Sequence, residues 1–130
     1  MHNSEKVLVA EDEPDIRGLI SYCLRYAGYR VVEAPNGEEA IQKALDELPD
    51  LILLDVRMPR MSGYDVCAVL KAQASTRNIP VIFLSARGQE AEIKRGLELG
   101  AEEYILKPFA PDEFNRRIAN ILERQHRPEK

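Results

Sequence analysis

The stretch Leu51-Ile52-Leu53-Leu54-Asp55 sets four consecutive apolar residues directly before a carboxylate. A strand with one solvated face alternates apolar and polar residues, and this stretch does not alternate. Val81–Leu84 is a second continuously apolar run of the same length. Strands of this kind are buried on both faces, which is typical of a parallel sheet covered by helices. The two runs therefore indicate an α/β protein.

Strand and helix patterns alternate along the rest of the chain. The predicted strands are Lys6–Ala10, Tyr29–Ala34, Leu51–Leu54, Val81–Leu84 and Tyr104–Leu106, and the predicted helices are Asp15–Ala27, a segment over Ala40–Leu48, Gly63–Ala72, Gln89–Leu99 and Pro111–Arg124. The helices are predicted from apolar residues that recur every three to four positions. Because parallel strands are joined by right-handed crossovers, five strand–helix units predict a doubly wound, five-stranded parallel sheet with five flanking helices.

Length and composition indicate one domain of 130 residues, with a core over about 6–124 and flexible ends at 1–5 and 125–130. The longest apolar run is Val66–Leu70, which excludes a transmembrane helix and argues against a membrane partner. Cys23 and Cys67 match no metal or redox motif, so we expect two small buried residues in a reducing, cytoplasmic compartment.

Charge and histidine content narrow the chemistry further. The net charge of −4 argues against direct nucleic-acid binding by this domain. The two histidines, His2 and His126, both lie near the chain ends, where neither is placed as a general base or zinc ligand. Any chemistry must therefore come from carboxylates, hydroxyls, lysine or arginine.

Polar and charged residues follow four of the five predicted strands. They are Glu11, Asp12 and Glu13 after the first strand, Asp55 after the third, Ser85 after the fourth and Lys107 after the fifth. Each alone has an ordinary explanation, since strands exit into solvent and Ser often caps a helix. In an open parallel sheet, however, the carboxyl ends of the strands meet at the edge where ligands bind. These residues are therefore expected to share one site.

The expected site has a consistent chemistry. Crowded carboxylates repel one another and require a cation, and all-oxygen ligands suit Mg²⁺. The cation could bring a phosphoryl group against the remaining carboxylate, while lysine and a hydroxyl hold the other phosphoryl oxygens. A carboxylate that attacks phosphorus forms an aspartyl phosphate.

Four segments carry a family resemblance. They are Val7–Pro14 (VLVAEDEP), Leu51–Pro59 (LILLDVRMP), Ser85-Ala86 and Lys107-Pro108-Phe109. In order, spacing and intervening helices they resemble the receiver domains of two-component response regulators, over about Lys6 to Arg124. The resemblance implies a flavodoxin-like sheet of strand order 2-1-3-4-5.

The resemblance also implies roles for the residues at the strand ends. Asp55 would be the phosphoacceptor, and Asp12 and Asp55 would bind Mg²⁺ through their side chains. The backbone carbonyl of Arg57 would complete the protein ligands, and Glu11 would contact the ion through water. Lys107 would pair with the phosphoryl group, and the Lys107–Pro108 bond is expected to be cis.

Two further residues are implied to form the switch. The Ser85 hydroxyl would turn toward the phosphoryl oxygens, and Tyr104 would follow it, changing the face formed by the fourth helix, fifth strand and fifth helix. Three positions depart from the commonest family pattern: Glu11 replaces an Asp, Ser62 stands where Asp is common before Gly63, and Ser85 replaces a Thr. The first should shift metal geometry without abolishing binding, the second should alter only a loop or cap, and the third is conservative, so none removes an essential group.

The implied function is Mg²⁺-dependent acceptance of a phosphoryl group from a sensor histidine kinase or a histidine phosphotransfer protein. Such a domain catalyses its own phosphotransfer and slow dephosphorylation, so it is a signalling domain rather than a conventional enzyme. Its output partner is not indicated by the sequence. A receiver-like module that binds partners without being phosphorylated remains an alternative.

A second alternative is a receiver cut from a winged-helix transcription factor, because Gly96–Tyr104 is similar to that group of receivers. These receivers dimerise through the fourth helix, fifth strand and fifth helix. A phosphorylation-dependent homodimer is therefore possible here, with Glu102 and Glu103 facing Arg116 or Arg117 across a two-fold axis.

Two other protein classes share parts of the pattern. A flavodoxin-type FMN protein needs a Ser-, Thr- or Gly-rich phosphate loop after the first strand, whereas here that loop is acidic. A dehalogenase-type phosphatase needs a second Asp two residues after the nucleophile, and that position holds Arg57. Both readings are therefore disfavoured.

Overall fold

Five strands and five helices alternate in the computed structural model, which describes residues 5–86, 90–107 and 109–125. The elements are β1 (Lys6–Ala10), α1 (Pro14–Tyr26), β2 (Arg30–Ala34), α2 (Gly37–Glu47), β3 (Leu51–Asp55), α3 (Gly63–Lys71), β4 (Val81–Ser85), α4 (Glu90–Glu98), β5 (Glu103–Leu106) and α5 (Pro111–Gln125). The predicted elements are thus all present, with ends that differ by a residue or two, except that α2 begins three residues before the predicted segment.

The strands form one parallel sheet in the order β2-β1-β3-β4-β5. In its register Val7 pairs with Leu51, Ile52 with Val81, and Ile82 with Glu103. This order confirms the predicted doubly wound, flavodoxin-like sheet of order 2-1-3-4-5. β1, β3 and β4 occupy its centre, so the groups at their carboxyl ends lie next to one another.

Apolar layers cover both faces of the sheet. Leu54 and its same-face neighbours pack with α2 and α3, while Leu53 and its neighbours pack with α1 and α5. Because successive strand residues point to opposite faces, a strand buried on both sides must be apolar throughout. This arrangement explains the absence of alternation in Leu51–Leu54.

β3 and β4 each continue one residue beyond the predicted apolar run. The backbone N–H of Val56 donates to the Leu84 carbonyl at 2.9 Å, and that of Lys107 donates to the Ser85 carbonyl at 2.7 Å. Asp55 and Ser85 are therefore the last residues of buried strands, with only 4% and 3% of their surfaces exposed. The sequence prediction placed both residues just after their strands.

The start of α3 packs directly on the end of β3. A Cβ at Gly63 would lie 2.5 Å from the Asp55 carbonyl oxygen, so a side chain there would clash with backbone. Ser62 caps the helix: its hydroxyl accepts from the Asp65 N–H at 3.2 Å, while the Asp65 carboxylate accepts from the Ser62 N–H at 3.1 Å. Ser62 thus serves as a helix cap, and the expectation that it alters only a loop or cap stays a prediction.

Several sequence predictions concern features away from the sheet. Cys23 and Cys67 are buried free thiols, as predicted. Pro108, and with it the expected cis Lys107–Pro108 bond, lies outside the described residues, as do 1–4 and 126–130. Among the helices in the described ranges, none has both the length and the apolar content needed to cross a membrane.

Candidate functional site

Three carboxylates meet at the carboxyl edge of the sheet. Glu11 and Asp12 follow β1, and Asp55 ends the adjacent β3. One oxygen from each lies within 4.8 Å of the others. Glu11 and Asp55 are buried, and Asp12 is half-buried. Glu13, which also follows β1, is exposed and occupies the N-cap position of α1 without a side-chain capping hydrogen bond.

Lys107, which follows β5, inserts its ammonium between two of these carboxylates. Its Nζ lies 2.7 Å from Asp55 Oδ1 and 3.1 Å from Glu11 Oε1. The lysine side chain is 18% exposed, so these are partly buried ion pairs with little solvent screening. The parallel sheet thus brings together groups that are 96 positions apart in sequence.

Hydrogen bonds hold Glu11 at both ends. Its Oε2 accepts from the Glu13 N–H at 3.1 Å, and its backbone carbonyl accepts from Arg17 Nη1 at 2.8 Å. Arg17 also reaches Glu33 on β2, with Nε 3.4 Å from Oε1. Sequence reasoning did not single out Arg17, since a basic residue on a helix carries no signal of its own.

Burial and charge set the ionisation of the site. Burial raises the pKa of Asp55; the hydrogen bond and charge of Lys107 oppose this, but the pKa stays above its ordinary value. Burial, and then the charge of Asp55, raise the pKa of Glu11. Burial lowers the pKa of Lys107, but contacts with Asp55 and Glu11 outweigh it, so the net pKa is raised.

The residues present fit a divalent cation. Three carboxylates and one ammonium sum to a formal charge of −2 in a largely buried space. The pKa values of Glu11 and Asp55 are raised, with burial as the largest cause and repulsion from a neighbouring carboxylate adding to it. Hard oxygen donors at this spacing are suited to a hard cation. The site is therefore an acidic pocket whose net negative charge favours the binding of a cation.

Arg57 borders the site from the loop after β3. Its backbone N–H donates to the Asp55 carboxylate, which favours the ionised form. Its exposed side chain lines an open cleft of about 480 Å³ together with Asp12, Tyr64 and Arg95. The ligand role expected for the Arg57 carbonyl stays a prediction.

The two expected switch residues are both buried. Ser85 ends β4, and Tyr104 lies in β5 with 8% of its surface exposed. The Tyr104 hydroxyl lies 3.2 Å from the hydroxyl of Tyr64, the second residue of α3. Sequence reasoning missed Tyr64, because a tyrosine at an apolar helix position reads as core. Its one signal is a phenol hydroxyl that needs a partner when buried.

Fold and site together define a doubly wound α/β protein with an acidic pocket at the carboxyl edge of a 2-1-3-4-5 sheet. The sequence model of the family described as "Response regulator receiver domain" matches residues 7–119. The chain therefore belongs to the response regulator receiver domain family.

Curated relatives are transcriptional regulators. The chain is 45% identical over 121 residues to the alkaline phosphatase synthesis transcriptional regulatory protein PhoP of Bacillus subtilis, covering 93% of this chain and 50% of the relative. It is 42% identical over 121 residues to the phosphate regulon transcriptional regulatory protein PhoB of Escherichia coli, covering 93% and 53%. The chain thus spans about half the length of these relatives.

Solved structures share the whole fold. The chemotaxis protein CheY4 of Vibrio cholerae superposes with a TM-score of 0.87 at 30% identity, covering 91% of this chain and 98% of that one. The receiver domain of a sensor histidine kinase from Pseudomonas aeruginosa gives a TM-score of 0.86 at 31% identity, covering 92% and 98%. The latter is described with a magnesium ion coordinated in its active-site cleft.

Proposed function

We propose that this chain is a single receiver domain, with its core over about 6–124, that accepts a phosphoryl group on Asp55. The observation that carries the proposal is the Asp55 carboxylate itself. It is buried at the end of a central strand, with an ammonium 2.7 Å from one oxygen and two further carboxylates within reach. A buried carboxylate in such a setting is a nucleophile rather than a solvated surface charge.

The resident cation of this proposal is Mg²⁺, held by the side chains of Asp12 and Asp55 and the backbone carbonyl of Arg57. Both Glu11 side-chain oxygens already accept hydrogen bonds, from Lys107 and from the Glu13 N–H, which supports a water-mediated role for Glu11. The magnesium-containing Pseudomonas relative supports the choice of ion. When bound, the ion supplies positive charge that offsets the carboxylates and polarises a phosphoryl oxygen.

The proposed donor is a phosphohistidine on a sensor histidine kinase or a histidine phosphotransfer protein. In the transfer the P–N bond breaks, a P–O bond to Asp55 forms, and the imidazole leaves with the electron pair. Lys107 holds Asp55 in place before transfer and then pairs with a phosphoryl oxygen. Ser85, at the end of the neighbouring strand, donates its hydroxyl to another. Each acceptance consumes the Asp55 carboxylate, so the domain is a switch rather than a conventional enzyme.

The proposed output surface is the face formed by α4, β5 and α5, which Tyr104 adjoins. A homodimer through this face needs charged residues that are available to a partner copy. Glu103 and Arg117 form an ion pair within the chain, with Arg117 Nη2 2.7 Å from Glu103 Oε1. Glu102 and Arg116 are exposed, so these two are the better candidates for contacts between copies.

A second candidate places the same domain in a larger protein. The curated relatives are transcriptional regulators, and this chain spans about half their length. The observation favours a receiver that controls a DNA-binding domain outside this chain, of the winged-helix type expected from Gly96–Tyr104. Nucleic-acid binding then belongs to that other domain, in keeping with the net charge of −4 here.

Mass spectrometry of the intact chain tests the proposal. Incubation with acetyl phosphate and Mg²⁺ should add one phosphoryl group, and chelation of Mg²⁺ should prevent it. Asp55→Asn should block the adduct completely, whereas Asp46→Asn, an exposed acid on α2, should not. Native spectra of the same samples report whether the adduct drives dimer formation.

Two results would contradict the proposal. An adduct that survives in Asp55→Asn would place the acceptor elsewhere. Absence of both the phosphoryl adduct and beryllofluoride binding in the folded wild type would favour a module that signals by binding alone. Beryllofluoride serves here because it mimics a phosphoryl group on a carboxylate without needing a kinase.

A further inference from the structure

Tyr64 is fixed by contacts on its ring as well as on its hydroxyl. It is the second residue of α3 and only 7% of its surface is exposed. Phe83 of β4 meets the ring edge-on, with centroids 5.0 Å apart and an interplanar angle of 77°. The Arg95 guanidinium of α4 lies 4.7 Å from the ring centroid, within cation–π range. The ring therefore bridges α3, β4 and α4.

The hydroxyl of Tyr64 has two partners whose chemistry determines the direction of each hydrogen bond. It lies 3.1 Å from the Glu92 backbone carbonyl and 3.2 Å from the Tyr104 hydroxyl. A carbonyl only accepts, and a phenol has one proton to donate. Tyr64 therefore donates to Glu92, and Tyr104 donates to Tyr64. Chains of this kind are cooperative, because each bond polarises the next.

Helix α4 packs closely on the Tyr104 ring, whose hydroxyl belongs to this hydrogen-bond chain. A Cβ at Gly96 would lie 2.9 Å from Phe83 Cδ2 and 3.0 Å from Tyr104 Cδ2. The absence of a side chain at Gly96 therefore lets α4 lie directly on both rings. Tyr104 is thereby enclosed between β4, α4 and Tyr64.

The backbone of Tyr64 is close to the phosphoacceptor, Asp55. The neighbouring residue Gly63 packs against the Asp55 carbonyl, and the Gly63 N–H donates to the Val56 carbonyl at 2.9 Å. The first two residues of α3 thus touch the backbone of β3 on one side and the Tyr104 hydroxyl on the other. These contacts connect Asp55 to Tyr104 through α3 and do not involve Ser85.

We propose that Tyr64 is a positioning residue that holds the Tyr104 ring in its buried position and ties it to α4 through the Glu92 carbonyl. The Tyr104 ring is then buried before any phosphoryl group arrives. The role of Tyr104 as a switch rests on the proposed function; its retention by Tyr64 rests on the hydrogen-bond chain alone. A tyrosine that served only as core would leave Tyr104 unaffected when its hydroxyl is removed.

Fluorine NMR of protein labelled with 3-fluorotyrosine measures the Tyr104 environment directly, with Tyr104→Phe assigning its signal. Tyr64→Phe keeps the ring and removes the hydroxyl. We expect the ratio of buried to exposed Tyr104 to fall about fivefold, the usual effect of one buried hydrogen bond. Tyr29→Phe is the matched control, since Tyr29 is equally buried but belongs to the opposite apolar layer. An unchanged Tyr104 signal in Tyr64→Phe would overturn the proposal.

Beryllofluoride separates this proposal from the proposed function. If both hold, beryllofluoride shifts Tyr104 toward its buried signal in both proteins, and the shift is larger in Tyr64→Phe because Tyr64 already favours the buried ring in the wild type. A Tyr104 that is released in Tyr64→Phe but ignores beryllofluoride would support the retention by Tyr64 and contradict the proposed switch.

Urea unfolding of Tyr64→Phe, Tyr104→Phe and the double variant that carries both changes gives an independent measurement. Because the two hydroxyls share a hydrogen bond, the double variant should lose less stability than the two single variants combined. Strict additivity would contradict the bond and with it the proposal.

Discussion

Burial and the proposed function place opposite requirements on Asp55: burial favours the protonated carboxyl group, whereas phosphoryl acceptance needs the ionised carboxylate. Asp55 has 4% of its surface exposed, so its carboxylate is poorly solvated, and the charge of Asp12 adds repulsion. Lys107 offsets these effects only in part, so the pKa of Asp55 remains raised. The residue that would receive the phosphoryl group is therefore held ionised at a cost in stability.

Asp55→Asn should therefore make the metal-free protein more stable at neutral pH. Because the folded-state pKa is raised above the ordinary 3.8, ionisation costs stability as pH rises through that folded-state pKa. Asn cannot ionise and avoids this loss. The gain should vanish below the ordinary pKa and grow above it. Urea unfolding in chelator across this pH range measures it, and a gain that is the same at every pH would contradict the explanation.

Residue identities at the site were predictable to different degrees. Glu11, Asp12, Asp55 and Lys107 could be assigned to one edge because strand ends in a parallel sheet converge there. The lysine's contact with both buried carboxylates was not predictable, since periodicity carries no information on side-chain distance. Tyr64 was missed because its hydroxyl partners come from α4 and β5, which no local pattern reveals.

Helix α4 illustrates at the element scale how one small residue controls packing. Among its described residues only Gly96 is buried, and its Cα faces the Phe83 and Tyr104 rings. Glycine lowers the stability of a helix interior, but at this position it allows α4 to approach the two rings closely. The same residue type in α1, Gly18, is exposed and has no neighbour within 4 Å of a built Cβ.

Alanine at these two glycines should therefore have opposite effects. Gly18→Ala should stabilise the protein by about 0.5–1 kcal/mol, the propensity difference in a helix interior. Gly96→Ala gains the same propensity but must displace an aromatic ring, and overpacking a core costs about 1–3 kcal/mol, so a net loss is expected. Urea unfolding of both variants measures the change in the free energy of unfolding. A gain in stability from Gly96→Ala would mean that α4 can move away from the two rings at little cost.

Element ends were the least predictable part of the secondary structure. Apolar patterning ended β3 at Leu54 and β4 at Leu84, while ladder hydrogen bonds extend each by one polar residue. The prediction followed hydrophobicity, whereas the strand ends where its hydrogen bonds end. That one residue decides whether Asp55 and Ser85 belong to the rigid sheet or to a loop.

For the molecule as a whole, the proposed cation would link the stability of the fold to the chemistry of the site. The acidic pocket accumulates a formal charge of −2 on folding, which no unfolded chain would concentrate in this way. A cation that binds only the folded state stabilises it by mass action.

Mg²⁺ should raise the free energy of unfolding by about 2.7 kcal/mol at a free concentration one hundred times its Kd, and chelator should reverse the gain. Asp12→Asn should abolish most of it, because it removes a proposed ligand. Asp15→Asn, an exposed acid in the first turn of α1, should keep it. An equal Mg²⁺ response in both variants would exclude Asp12 as a ligand.

The strand order was the part of the architecture that periodicity alone could not provide. Right-handed crossovers restrict which strands can be neighbours but leave several orders open. The order 2-1-3-4-5 came from family resemblance, and the sheet has it. It matters because it sets β1 beside β3, which brings Glu11 and Asp12 to Asp55.

The two contacts of Lys107 also have a consequence for covalent modification. Acylation requires the neutral amine, whose lone pair attacks the acyl carbon of the reagent, and the raised pKa of Lys107 favours the protonated form that cannot do so. The ion pairs with Asp55 and Glu11 further limit its access to reagents. An acyl group there would also leave two buried carboxylates without their shared counter-ion. We therefore expect the folded domain to protect Lys107 from acylation, while its exposed lysines stay open to the same reagents.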